Sequence, residues 1–173
     1  LKMELGSEQY NAAYFLLKKH LASGRAQHCA LYFEGRALSY QELNQRVEQY
    51  AHFLFSQELV RGDRVALLLN DSPEWIALFL ACLQLGLIAV PLNTFAKEQD
   101  LIFYLQDCQA RLLVTEQCLL DKLDLGAIFA KVQSRILTLD DLLPLPAGQI
   151  SHCLAVDENT PGFILYTSGS TGK

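Results

Sequence analysis

The sequence predicts an α/β fold of stacked βα units, with a mainly parallel sheet covered by helices. Three observations carry that reading. Short unbroken apolar runs, as at 65–69 and 112–115, have the pattern of strands buried on both faces. They alternate with amphipathic stretches of helical period, the signature of βα repetition with right-handed crossovers. The 173 residues are 51% apolar and 19% charged, the composition of a packed chain with room for one sizeable core.

Taken in order, the elements follow from local chemistry. Residues 11–21 form the first helix candidate, with Ala13, Leu16, Leu17, His20 and Leu21 at helical spacing and Gly24 beyond its end. Short apolar runs at 30–33 and 37–38 flank Glu34-Gly35-Arg36 and predict a small hairpin. Ser39 followed three residues later by Glu42 is a capping box, and Tyr40, Leu43, Val47, Tyr50, Ala51 and Leu54 then share one helical face. After Arg61-Gly62-Asp63 the pattern becomes strand 65–69, helix 73–85, strand 88–92, helix 97–106, strand 112–115, helix 118–123 and strand 135–139. Residues 144–161, with three prolines and Gly148, read as a surface connection, and 162–166 as a last apolar strand. The run 75–92 carries no charge and reaches the lower length limit of a membrane span, but Gly86 and Pro91 break it into a buried helix and a short strand.

Charge and cysteine content exclude several function classes. A formal net charge of −5, from 14 Lys and Arg against 19 Asp and Glu, gives no general attraction to nucleic acid. The cysteines, Cys29, Cys82, Cys108, Cys118 and Cys153, are five, scattered and without a C-x-x-C pair, so neither a disulfide framework nor a zinc site is expected. A cytoplasmic location fits that usage, and the first residues lack the apolar core of a secretory signal. Trp75 and Phe79 sit one turn apart and read as core or subdomain-interface residues, while His52 lies on an amphipathic helix and reads as a surface or boundary residue rather than a base.

The chemistry concentrates at the last strand, which runs into Thr167, Ser168, Gly169, Ser170, Thr171, Gly172 and Lys173. Glycines let successive backbone N–H groups converge on an anion, hydroxyls add donors and the lysine adds charge, so this is a candidate phosphate cradle. A flexible Gly/Ser/Thr loop is the plainer alternative. Counting removes two others. A Walker loop needs glycine where Thr167 stands, and a nucleophile elbow centred on Ser170 needs glycine where Ser168 stands.

Tyr166 to Lys173 resembles the AMP-binding signature of the adenylate-forming superfamily, which includes acyl-CoA synthetases, luciferases and peptide-synthetase adenylation domains. The resemblance extends upstream through Ser39 to Leu43, Gly62 to Val65, Asn70 with Glu74 and Trp75, Gly86, Pro91 to Thr94, Tyr104, Leu105 and Asp107, and Ala110 to Leu112. It covers about residues 11–173, and Asn11 to Ala13 with Leu92 to Thr94 look most like benzoate and other aryl-CoA ligases. It implies that residues 1–173 are part of the large N-terminal domain of such an enzyme, with a βα-repeating region at 11–143, a connection at 144–161 and the strand and loop at 162–173. It implies ATP and Mg2+ as cofactors, a small carboxylic acid as substrate and CoA as co-substrate. Thr167 to Gly172 would grip the β- and γ-phosphates, with Lys173 at the edge. The family's later adenine, magnesium and acyl-pocket residues and its C-terminal lysine have no counterpart here, so no catalytic residue is assigned and the piece alone is expected to be inactive. Peptide-synthetase-type adenylation and a non-catalytic α/β binding module stay open as alternatives. An incomplete sheet is also expected to self-associate through exposed apolar surface.

Overall fold

The computed structural model describes residues 10–143, 145 and 148–167. A π-helical turn, Tyr14–Lys18, runs into the short helix α1 (Lys19–Ala22). Ala13 and Leu17 are buried, but Leu16 is 52% exposed, because the wide turn moves it off the inward face that a regular helical period predicts. Asn11 fixes the start of this segment: its buried side-chain amide donates to the Leu83 carbonyl at 2.7 Å and to that of Leu154 at 3.1 Å.

The hairpin forms as the sequence predicts, from β1 (Cys29–Phe33) and β2 (Arg36–Ser39) paired antiparallel. Its two turn residues, Glu34 and Gly35, both have positive φ (48° and 77°), the conformation that matches the twist of paired strands. The capping box starts α2 (Tyr40–Ser56): the Glu42 N–H donates to Ser39 Oγ at 3.2 Å and the Ser39 N–H to Glu42 Oε2 at 2.8 Å.

The main sheet contains β3 (Arg64–Leu68), β4 (Ile88–Pro91), β5 (Leu112–Thr115) and β6 (Arg135–Thr138), all parallel, in the order β4-β3-β5-β6. Helix α3 (Pro73–Gln84) joins β3 to β4, and α4 (Glu98–Asp107) returns from β4 to β5. The chain then moves one strand further through α5 (Gln117–Leu120) and α6 (Leu125–Phe129), and a 3-10 turn, Asp140–Leu142, follows β6. With every crossover right-handed, each reversal of direction must change the covered face. The two apolar cores agree with that rule. Val65, Leu67, Leu112 and Val114 pack with α2 and α3, whereas Ala66, Leu68, Val90 and Leu113 pack with α4, Leu119 and Ile128.

Three local expectations change. Helix 118–123 shortens to the turn of α5, and α6 follows it, started by Asp124, whose carboxylate accepts from the Ala127 N–H at 3.1 Å. Residues 144–161 are more than a surface connection, since Cys153 and Val156 are buried and the Leu154 N–H donates to the Gln84 carbonyl at 2.8 Å. Residues 162–166 make only one parallel bridge, Phe163 to Ala89, at the outer edge of β4. The reason is Pro91. On β4 the N–H groups of Ile88 and Leu92 point to β3 and that of Ala89 points outward, so the next outward position is the proline, which has no N–H to donate.

Helix α3 ends at Gly86, whose φ of 68° suits glycine, and the 75–92 run divides there as the sequence predicts. Among the described residues no helix is long and apolar enough to cross a membrane.

Candidate active site

Parallel strands deliver all their following loops to one edge of the sheet, and in open α/β sheets ligands bind outside that carboxyl edge. Here β3 feeds α3 on one face, while its neighbours β4 and β5 feed α4 and α5 on the other. The loops part at β3 and leave a crevice. Leu69, Asn70, Asp71, Trp75 and residues 91–95 line a pocket of about 460 Å3 there. A second pocket of about 630 Å3 shares Asn70, Thr94 and Phe95 and adds Lys97, Glu98 and Lys122.

The crevice is held by hydrogen bonds between loops. The Asn70 backbone N–H donates to Glu116 Oε1 at 2.8 Å and its side-chain amide donates to Glu116 Oε2 at 2.7 Å, tying the ends of β3 and β5 together. Asn93 Oδ1 accepts from the Phe95 N–H at 2.9 Å, a local turn that leaves the Phe95 ring 91% exposed. Trp75 stacks on Phe79 with centroids 5.5 Å apart, and Phe79 meets Phe163 at 5.8 Å, so an aromatic row joins the pocket wall to the edge segment.

That segment carries the chain toward the same edge. After the bridge at Phe163, the Tyr166 ring lies 4.4 Å from the Tyr104 ring, and its hydroxyl donates to Asp107 Oδ2 at 2.6 Å. Burial, and then the bond to the Asp107 carboxylate, push the phenol well above its ordinary pKa, so it stays a donor. Thr167 follows with its side chain exposed; Ser168, Gly169, Ser170, Thr171, Gly172 and Lys173 lie outside the described residues.

Asn70, Trp75, Asn93 and Thr94, separate landmarks in the sequence, thus meet around one pocket. Sequence reasoning missed Glu116, whose one available signal was its position directly after a buried strand. His52 packs instead on the connection, where a Cβ added at Gly148 would stand 2.4 Å from its Nε2. Burial pushes the Cys82 thiol up to about 12 and raises that of Cys108, so neither is an activated nucleophile. No group of three His, Cys, Asp or Glu among the described residues is placed to hold a metal ion.

These features belong to a recognised class: the AMP-binding enzyme family profile matches residues 18–173, and the chain is a member of that family. The chain is 28% identical over 177 aligned residues to the 3-hydroxybenzoate--CoA/4-hydroxybenzoate--CoA ligase of Thauera aromatica, covering 96% of this chain and 34% of that protein. It is 34% identical over 164 residues to tyrocidine synthase 2 of Brevibacillus parabrevis, covering 91% of this chain and 4% of that protein. The anthranilate CoA ligase AuaEII, solved in complex with anthranoyl-AMP, superposes with a TM-score of 0.80 at 26% identity, over 92% of this chain and 32% of the other. The chain therefore spans about a third of the length of the aryl-CoA ligases it matches.

Proposed function

We propose that this chain forms the N-terminal part of an ATP-dependent acid–thiol ligase that activates a small carboxylic acid, aromatic in class, and transfers it to CoA. The reading is carried by the family match, which runs through Thr167 to Lys173, together with the parallel bridge of Phe163 to Ala89, which points the described chain, as far as Thr167, toward the carboxyl edge of the sheet. In the reaction a carboxylate oxygen attacks the α-phosphorus of ATP and pyrophosphate leaves. A thiolate then attacks the acyl carbonyl and AMP leaves.

Within that scheme Thr167, Ser168, Gly169, Ser170, Thr171 and Gly172 grip the β- and γ-phosphates, and Lys173 supplies charge at the loop's edge. Of these, Thr167 is described, and its exposed hydroxyl fits a donor to a phosphate oxygen. Magnesium would arrive on the nucleotide's phosphates, since the described residues offer no cluster of their own for it. Five scattered cysteines without a C-x-x-C pair suit a reducing cytoplasm.

Acid-dependent ATP–pyrophosphate exchange tests the proposal. The complete protein that carries this chain is expected to exchange with benzoates in a panel of aromatic and aliphatic acids, and the isolated 173 residues with none. Failure of every acid in the complete protein would defeat the ligase reading. Exchange by the isolated residues would defeat their predicted inactivity. The match to tyrocidine synthase 2 favours a second reading, adenylation for a carrier-bound phosphopantetheine thiol. Thioester formation on free CoA against loading of a carrier protein separates the two.

A further inference from the structure

The segment that leads into the phosphate loop is held to the sheet by little backbone bonding. The Ala89 N–H donates to the Gly162 carbonyl at 3.0 Å and the Ile164 N–H to the Ala89 carbonyl at 2.9 Å. The ladder then reaches Pro91 and has no further donor on β4. Between Ile164 and the first loop residue, Thr167, a different restraint takes over. Tyr166 reaches across to α4, where its hydroxyl donates to Asp107 Oδ2 at 2.6 Å and approaches the Tyr104 carbonyl at 3.4 Å. Its ring packs on Tyr104 at 4.4 Å and meets Phe103 edge-on at 6.4 Å.

We infer that Tyr166 is a positioning residue for the nucleotide phosphates: its hydrogen bond to Asp107 replaces the ladder that Pro91 ends and fixes the root of the phosphate loop against α4. The inference rests on the loop's proposed role. The chemical reason is that a phosphate grip depends on donors held within about 0.5 Å of their working positions, which a loop rooted on a frayed edge cannot achieve. A carboxylate acceptor makes this bond stronger than one between neutral groups. Phe103 and Tyr104 flank the half-buried ring but cannot set its reach, because stacking tolerates sliding that a 2.6 Å hydrogen bond does not.

Three variants test it. Tyr166→Phe keeps the ring and loses the hydroxyl, Asp107→Ala removes the acceptor at an exposed site, and Asp107→Asn keeps an oxygen to accept. In hydrogen exchange followed by mass spectrometry on the 173-residue chain, the peptides holding Ile164 and Ala89 are expected to exchange about tenfold faster in Tyr166→Phe and Asp107→Ala. Asp107→Asn, which keeps an acceptor but a neutral one, should lie between those variants and the unsubstituted rate, and β3 and β5 should be unchanged in all three. In the complete protein, the first two variants are expected to raise the KM for ATP in pyrophosphate exchange about tenfold with kcat within about twofold. Unchanged exchange at Ile164 in Tyr166→Phe would overturn the inference, as would a fall in kcat with KM unmoved. The hydrogen-exchange result stands whether or not the protein activates acids, so failure of the ligase reading is distinguishable from failure of the anchor.

Discussion

Lys18 and Glu48 form an ion pair that docks the N-terminal helical segment on α2, and its removal one charge at a time has an asymmetric outcome. Lys18 Nζ lies 2.6 Å from Glu48 Oε1, with side-chain exposures of 12% and 10%, and the Asn44 amide donates to the same oxygen at 3.0 Å. At an effective dielectric of about 20, unit charges at that separation attract by about 6 kcal/mol, but withdrawing each ion from water costs several kcal/mol. The net value of the pair is therefore small, whereas an orphaned charge bears its desolvation cost alone. Glu48→Leu should destabilise by about 3–5 kcal/mol, and Lys18→Met by about 3 kcal/mol because the remaining carboxylate keeps Asn44. The double variant Lys18→Met/Glu48→Leu should lie within about 1 kcal/mol of the starting protein, a coupling of several kcal/mol in the double-mutant cycle. Urea unfolding followed by the single tryptophan, Trp75, measures all three. Single variants that each cost under about 0.5 kcal/mol, or a double variant whose loss equals the sum of the singles, would refute the reasoning.

Other outcomes follow from single positions. Gly86→Ala should cost about 1–2 kcal/mol for the left-handed backbone alone, and more because the new Cβ would stand 2.5 Å from Leu154 Cδ2; Gly62→Ala, at a φ of 85° with open space around it, should show the backbone cost alone in the same urea assay. Ser39→Ala should lose about 1 kcal/mol of helix capping at neutral pH. The Ser39 N–H and hydroxyl hold Glu42 below its usual carboxylate range, so their contribution is present above the unfolded-state pKa and lost as pH falls through the folded one; the variant should show a shallower loss of stability on acidification. The isolated chain should self-associate through its outer edge, where Phe163 and Leu165 are 52% and 60% exposed, and Phe163→Asp/Leu165→Asp should shift sedimentation toward monomer; a monodisperse monomer of the unsubstituted chain at high concentration would count against this.

What the sequence made legible is what short-range chemistry decides. The hairpin follows from a two-residue turn, α2 from Ser39 and Glu42, and the buried strands from unbroken apolar runs, each a decision made within a few residues. Elements fixed by a distant partner were less legible. Residues 162–166 have strand composition, yet their pairing is limited by a proline 71 or more positions earlier, and only the register Phe163 to Ala89 shows which side of β4 that proline faces. Residues 144–161 have the proline and glycine content of a loop, but crossing from β6 back to the outside of β4 reverses the chain's direction along the sheet. A right-handed return must then cover the α2–α3 face, which buries Cys153 against that core.

The same reversals explain the position of the candidate site. Asn70, Trp75, Asn93 and Thr94 were visible as landmarks, but their common pocket depends on β3 sending its helix to one face while β4 and β5 send theirs to the other. Glu116 was invisible as a partner of Asn70 because strand order, not sequence distance, makes them neighbours. Tyr166 joins both kinds of information. Its place before the glycine-rich stretch is local, and its hold on Asp107 exists because α4 crosses the face opposite α3 and passes beside the edge segment. A chain with the same signature but without that crossover would hold its edge segment by the two hydrogen bonds to Ala89 and the contact of Phe163 with Phe79, with no bond at the position of Tyr166.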